Sequence, residues 1–142
     1  MINDFRGDYR WLSNFHPCLI VYDGITYPSS ENAYQAAKFR DKNFRAKFVG
    51  ILPAEAKKLG RSPGIVPYWD NIKLTVMEYI LRQKFTPGTE LAQKLINTGN
   101  EELVEGNWWN DTYWGVCRGV GQNHLGKLLM KIREELNANQ VR

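Results

Sequence analysis

The sequence predicts an α+β fold, mainly helical, with a small β-hairpin as its sheet, in one domain spanning residues 1–142. Three observations carry this. Asp23-Gly24 stands between the β-rich runs Leu19–Tyr22 and Ile25–Tyr27, and Asp-Gly in that position is a strong hairpin signal. Apolar residues recur at helical spacing in two long stretches, Ile72, Val76, Met77, Ile80, Leu81 and then Leu125, Leu128, Leu129, Ile132, Leu136. No internal repeat, low-complexity tract or convincing domain boundary divides the chain.

Met1–Gly7 is short enough to add an edge strand, and Trp11–Pro17 has no periodicity that assigns it. The hairpin then delivers the chain through Pro28 into a helix over Ser29–Lys38, where Ser29 or Ser30 can accept from an orphan backbone N–H. Asp41–Gly50 reads as a short second helix with Phe44 and Phe48 on one stripe. Pro53 suits the first position of a third, Pro53–Leu59, which Gly60 stops. Ser62–Pro67 is a loop with two prolines. Asp70 can cap a long helix reaching about Phe85, and Pro87-Gly88 breaks it. Thr89 caps the next helix, with Leu91, Leu95 and Ile96 inward and an end near Gly99. Glu102–Glu105 is expected as a short strand, and Asn107–Gln122 is irregular and too long for a plain connector. The last helix is expected from about Asn123 to Leu136, with a frayed tail over residues 137–142.

Composition narrows the function classes. The 43% hydrophobic and 24% charged content is that of a globular chain able to bury a core. A net charge of +4 is a mild bias toward anionic partners and no nucleic-acid signature by itself. Two cysteines, Cys18 and Cys117, make no disulfide framework, and with His16 and His124 they show no zinc-ligand spacing. No apolar run spans a membrane, and the N-terminus lacks a signal-peptide core. The expectation is a cytoplasmic protein, in a bacterium or in the host cell of a virus, with no membrane, cofactor, metal or obligate protein partner.

Three polar and aromatic stretches have no evident packing duty: Leu12–Phe15, Tyr27–Lys38 and Asn107–Asn123. In the second, at ~100° per residue, Glu31, Gln35 and Lys38 fall within roughly 60° on one helix face, while Ala33, Ala36 and Ala37 make an opposite face that admits a close neighbour. The polar face is either solvated or a ligand face. In the third, Gly119-Val120-Gly121 precedes a helix start, where backbone N–H groups can approach a phosphate; a plain glycine turn fits as well. Asp111, beside Tyr113 and Trp114, is either a turn residue or a carboxylate in an aromatic-walled pocket.

Trp11-Leu12-Ser13-Asn14-Phe15, Ser29-Ser30-Glu31 with Gln35 and Lys38, Leu59-Gly60-Arg61, Tyr113-Trp114-Gly115 and Asn123–Met130 together resemble the NADAR domain family. The resemblance runs to Arg133 and rests on the order and spacing of these motifs. It implies a compact, mainly helical α+β fold and cleavage of an N-glycosidic bond. Two activities are associated with the family: removal of ADP-ribose from guanine in nucleic acid, and hydrolysis of phosphorylated riboflavin-pathway intermediates. The chain is accordingly expected to be a metal-independent N-glycosidase. ADP-ribosyl-guanine in DNA is the leading substrate and a phosphorylated ribosyl small molecule the alternative. A non-catalytic ADP-ribose or nucleotide reader is the competing class.

Such cleavage passes through an oxocarbenium-like ribosyl centre, which a carboxylate stabilises. Glu31 is the first choice, Asp111 the second carboxylate, and Lys38 the third catalytic candidate. Trp114 and Trp69 are candidates to stack on a flat base, and Asn14, Gln35 and Asn123 to bond ribose hydroxyls or a base edge. Lys57 and Arg61 suit phosphate. Glu105, Tyr113, Gly115 and Gly121 complete the expected substrate-binding set, with Glu105 and Trp69 the two most readily explained as an edge charge and a core residue.

Overall fold

The computed structural model describes residues 1–140. A 3-10 helix, Gly7–Leu12, comes first. Strands β1 (Pro17–Tyr22) and β2 (Ile25–Ser29) lead into α1 (Ser30–Ala36). Then come α2 (Lys42–Ala46), α3 (Pro53–Leu59), α4 (Trp69–Lys84), α5 (Glu90–Asn97), β3 (Gly106–Asn107), β4 (Val116–Cys117) and α6 (His124–Gln140). The fold is α+β and mainly helical, as the sequence predicts. The described chain forms two compact units: Asn14–Lys84, and Met1–Ser13 together with the chain from Phe85 onward.

In the Asn14–Lys84 unit, β1 and β2 pair antiparallel, with Val21 opposite Thr26 and Tyr22 opposite Ile25. Asp23 and Gly24 take φ of 47° and 84°, the positive pair that a two-residue hairpin turn requires. The outer side of β1 is closed by an amide from α4. Gln83 Oε1 accepts from the Val21 N–H at 2.9 Å, and Gln83 Nε2 donates to the Val21 carbonyl at 2.6 Å. Helix α1 starts where Ser29 Oγ accepts from the Asn32 N–H at 3.0 Å. Every residue of α1 is buried, so its small-residue face, Ala33 and Ala36, is only half of its packing. Phe39, Phe44 and Phe48 form a ring cluster with centroids 4.6 to 5.9 Å apart, which is why the short α2 is held although few of its residues are buried.

Asn32 ties this unit together. It is fully buried; its Nδ2 donates to the carbonyls of Phe48 and Ile51, each at 2.8 Å, and its Oδ1 accepts from Ser29 Oγ. One amide therefore satisfies two loop carbonyls that no helix or sheet serves, groups that cannot be left bare inside.

In the other unit, α5 begins at the cap Thr89 and packs on α6, and Trp11 meets Phe85 edge to face at 6.3 Å. Leu95, Leu103, Leu125, Leu129 and Ile132 are core. The sheet here is smaller than expected. Met1–Gly7 forms no strand; Ile2 makes one parallel bridge to Leu103, and this single bridge is all that Glu102–Glu105 contributes. Strand geometry appears at Gly106–Asn107 against Val116–Cys117, in parallel. Four helix ends also differ. Helix α2 stops at Ala46, short of the expected Gly50. Helix α1 ends at Ala36, before Lys38. Helix α4 starts at Trp69, so Asp70 lies in its first turn and bonds Lys73 instead of capping. Helix α6 continues past Leu136 to Gln140; the rest of the expected tail lies outside the described residues. Among the described residues no helix is long and apolar enough to cross a membrane.

Replacing Asn32 by Leu strips two buried carbonyls of their donors. Each bare group costs about 1–3 kcal/mol, so Asn32→Leu is expected to lower unfolding free energy by at least ~2 kcal/mol in urea denaturation; an unchanged midpoint would show that water replaces the amide.

Candidate active site

Helix α1 brings Glu31 and Gln35 together in the interior. The Glu31 N–H donates to the Asn14 carbonyl at 3.0 Å, which pins the incoming loop to the first turn. Glu31 is 7% exposed and Gln35 5%, so the face is not solvated. Four residues apart, the two side chains meet one turn on: Gln35 Nε2 donates to Glu31 Oε2 at 2.7 Å. That bond turns Gln35 Oε1 the other way, into a buried position with no hydrogen-bond partner. It lies against Gly60 at the end of α3, where a Cβ would come within 1.9 Å of it. Gly60, read from the sequence as a helix stop, is also the residue that lets α3 close on the Gln35 amide.

Lys38 lies in the turn beyond α1. Its N–H reaches the Gln35 carbonyl at 3.3 Å, and its carbonyl accepts from the Val66 N–H at 2.9 Å. The helical path thus tightens past Ala36 without losing direction, and Lys38 stays with the Glu31 group. Its Nζ is 5.8 Å from the centre of the Tyr34 ring, which itself packs 5.2 Å from Trp69. Burial pushes the Lys38 ammonium below its usual pKa; Glu31 opposes this, while Arg61, Lys73 and Lys57 add to it by repulsion. A buried carboxylate and an amine with a lowered pKa, in each other's field, can exchange a proton and act in turn as base and nucleophile.

The sequence candidates divide between the units. Asn14, Glu31, Gln35, Lys38, Lys57, Arg61 and Trp69 belong to Asn14–Lys84. Asn14 Nδ2 faces Met77 Sδ at 3.6 Å, and its Oδ1 is buried with no hydrogen-bond partner. Lys57 is half-buried and Arg61 exposed. Trp69 is 7% exposed and packed on Tyr34, so it is a core wall and offers no open ring face. Sequence reasoning missed Tyr34 and Lys73. For Lys73 the signal was present: it stands one helical turn after Trp69, which places both on one face.

Glu105, Asp111, Tyr113, Trp114, Gly115, Gly121 and Asn123 belong to the other unit. Asp111 Oδ1 accepts from the backbone N–H of Tyr113 at 3.2 Å and of Trp114 at 2.9 Å, which makes it a turn residue. Asn107 Nδ2 links the Glu105 carboxylate and the Asp111 carbonyl, each at 2.9 Å. Tyr113 packs between Trp114 (4.8 Å) and His124 (4.5 Å). The amide of buried Asn123 is taken up inside: Nδ2 donates to the Leu103 carbonyl at 2.9 Å, and Oδ1 accepts from the Glu105 N–H at 3.0 Å. Of the two alternatives before α6, a phosphate cradle and a plain glycine turn, the structure shows the turn, with its N–H groups taken by the protein itself. The N–H groups of Gln122, Asn123, His124 and Leu125 donate to the carbonyls of Thr112, Gly115, Tyr113 and Trp114 at 2.8 to 3.2 Å. Gly121 serves that closure: with φ at 151°, a Cβ there would sit 2.1 Å from the Gly115 carbonyl oxygen. Among the described residues no group of His, Cys, Asp and Glu is placed to hold a metal ion.

Residues 3–137 match the NADAR domain. The chain belongs to the NADAR family. It is 41% identical over 133 residues to the N-glycosidase YbiA of Escherichia coli, covering 91% of this chain and 82% of that one. It is 40% identical to a riboflavin biosynthesis protein of Vibrio vulnificus, covering 91% of this chain but spanning only 36% of that longer protein. It is also 35% identical to an N-glycosidase of Nostoc punctiforme, at 90% and 86% coverage. The solved structure of Escherichia coli YbiA superposes with a TM-score of 0.84 at 36% identity, over 100% of this NADAR chain and 90% of that one.

The Gly60 contact gives a direct test of the site's packing. Gly60→Ala must displace the Gln35 amide or the end of α3, an overpacking that costs about 1–3 kcal/mol. A lowered melting temperature together with impaired turnover is expected; a variant normal in both would mean that Gln35 moves aside freely.

Proposed function

We propose that this NADAR protein is an N-glycosidase that, without a metal ion, cleaves the bond between the anomeric carbon of a ribose and the nitrogen of a flat base. The observation that carries the reading is the buried Glu31–Gln35 pair with Lys38 in its field. The names of the Escherichia coli and Nostoc relatives support the same reaction class.

Breaking the bond leaves positive charge on the ribosyl centre, and an ionised Glu31 facing it lowers that barrier. Gln35 Nε2, holding Glu31 Oε2, fixes the carboxylate's orientation beforehand. Lys38 is the nucleophile in this reading. Its free amine forms a bond to the anomeric carbon as the base nitrogen leaves with the bonding pair. Glu31 takes the proton from the amine and returns it to the departing nitrogen. The sugar ring then opens to an imine on Lys38, and water releases the sugar and the amine. Lys38 stands in the turn beyond α1, yet the Glu31 carboxylate still acts on its ammonium. Asp111, whose Oδ1 holds a turn in the other unit, takes no step in this reading.

Two substrates suit this chemistry. A phosphorylated intermediate of riboflavin biosynthesis is favoured by the name of the Vibrio relative. ADP-ribosyl-guanine in DNA is the second reading, consistent with the basic net charge. Incubation with each, followed by detection of the released ribosyl product, separates them; binding without release of product from either would identify a reader and overturn the enzyme reading.

Glu31→Gln is expected to keep fold and ligand binding and to lose ~10²-fold or more in rate, measured in EDTA so that adventitious metal plays no part. Near-normal turnover by the folded variant would remove Glu31 from the reaction. Borohydride added during turnover is expected to trap a sugar adduct on Lys38, and Lys38→Arg to lose both adduct and activity. If Lys38→Arg remains active, water attacks directly and Lys38 only binds.

A further inference from the structure

Of the amides expected to bond substrate, the structure leaves that of Asn14 uncommitted. Both ends of the Asn123 amide are taken, by the Leu103 carbonyl and the Glu105 N–H. Gln35 gives its Nε2 to Glu31, and its Oε1 lies against Gly60. Asn14 differs. Its Nδ2 donates to the Met77 thioether at 3.6 Å, and sulfur is a weak acceptor. Its Oδ1 is buried with no hydrogen-bond partner among the described residues. Turning the amide over would set oxygen against sulfur, two acceptors, and gain nothing. A bare acceptor inside costs stability, and a ligand that brings a donor offsets that cost.

The place of Asn14 says which donor. Its own carbonyl accepts from the Glu31 N–H at 3.0 Å. The loop that carries the amide is thus fastened to α1 at the residue that faces the ribosyl centre in the proposed reaction. Asn14 is half-buried, and a weak thioether contact holds its amide, so the amide turns toward a ligand at little cost. The hydroxyl nearest the anomeric carbon of a ribose is on the next carbon of the ring.

We propose that the Asn14 amide grips the diol of the reacting ribose, Oδ1 accepting from the 2-hydroxyl and Nδ2 donating to the 3-hydroxyl, and so confines the enzyme to ribosyl bonds and spares 2-deoxyribosyl ones. The inference rests on the N-glycosidase reading and names the sugar within it. An amide presents an acceptor and a donor side by side, which matches a vicinal diol. With a 2-deoxy sugar Oδ1 stays bare in the complex, and a site built around a hydroxyl rejects the analogue that lacks it. In DNA this discrimination protects the strand. A ribosylated guanine there carries two N-glycosidic bonds, one to the added ribose and one to the deoxyribose of the backbone. Cutting the second would leave an abasic site, and the 2-hydroxyl marks the first. With a small-molecule substrate the same contact turns away 2-deoxy analogues.

The Asn14 side chain has little to lose within the protein. Asn14→Ala is therefore expected to melt at the wild-type temperature or above it, since it removes a bare buried acceptor. An amide working for the fold would lower it.

The decisive comparison uses sugars matched except at the 2-position. Calorimetric titration with ribose 5-phosphate and with 2-deoxyribose 5-phosphate requires no turnover. The wild type is expected to bind the ribose ester at least ~10-fold more tightly, and Asn14→Ala to lose that preference. Turnover of the ribosyl and 2-deoxyribosyl forms of one N-glycoside gives the second reading. Asn14→Ala is expected to lower the ratio of their kcat/KM values by roughly 10²-fold. Comparing ratios between the two proteins cancels the greater intrinsic lability of the 2-deoxyribosyl bond. Equal affinity of the wild type for the two esters, an unchanged preference in Asn14→Ala, or a lowered melting temperature overturns the proposal. So does an equal loss on both sugars, which would place the amide on the base edge. If the wild type cleaves both forms alike, the proposal falls and the N-glycosidase reading stands. If it prefers ribose 5-phosphate through Asn14 yet releases no base from any N-glycoside, the sugar recognition stands and the enzyme reading falls.

Discussion

The structure depends on a short helix being buried on every side while carrying an acid and two amides. Enclosing helix α1 is costly for every one of those groups that finds no partner, since a bare polar group inside costs more than a made bond gains. Asn32 solves this outward, by taking two loop carbonyls and Ser29. Gln35 solves it along the helix, by donating to Glu31. The first arrangement holds the fold and the second holds the chemistry, and they lie on neighbouring faces of the same few turns. Stability and reactivity are therefore coupled at close range in the Asn14–Lys84 unit. Two amide oxygens, on Asn14 and Gln35, remain buried with no hydrogen-bond partner. Such residual dissatisfaction commonly accompanies a working site.

Much of this was legible in the sequence because it follows local rules. Asp23-Gly24 dictates its own turn, Pro53 and Gly60 bracket α3, and Thr89 caps α5. The i, i+4 spacing of Glu31 and Gln35 places them side by side in any helix. Hidden from such reading was everything that depends on what packs against what. Periodicity could not tell a solvated polar face from an enclosed one, and the three alanines Ala33, Ala36 and Ala37 say only that something comes close. Nothing in the spacing of α4 shows that Trp69 packs on Tyr34 of α1.

The loop before α6 shows the opposite failure. Glycines ahead of a helix start are a fair sign of an anion cradle, and the backbone there does present N–H groups together. Their acceptors are the carbonyls of residues 112–115, from the same loop folded back on itself. The Asn123 amide and one Asp111 oxygen are likewise spent on the chain. Polar and aromatic residues with no apparent packing duty can be the scaffold of an irregular segment that has no helix or sheet to satisfy it. Sequence alone does not distinguish the two cases, because both need the same residue types at turns.

The Gln83 amide on Val21 bears on how the protein behaves in a crowd. A two-stranded hairpin has a bare outer side, and on β1 that side is bordered by the exposed side chains of Leu19 and Val21. Chains with such borders recruit one another, strand upon strand. Gln83 occupies both hydrogen-bonding positions of Val21 with a group shaped like a peptide, so an arriving strand finds the middle of the row already taken. A single side chain thus acts as a sentinel against self-templating, and it does so from the helix whose Val76, Met77, Ile80 and Leu81 are committed to the core.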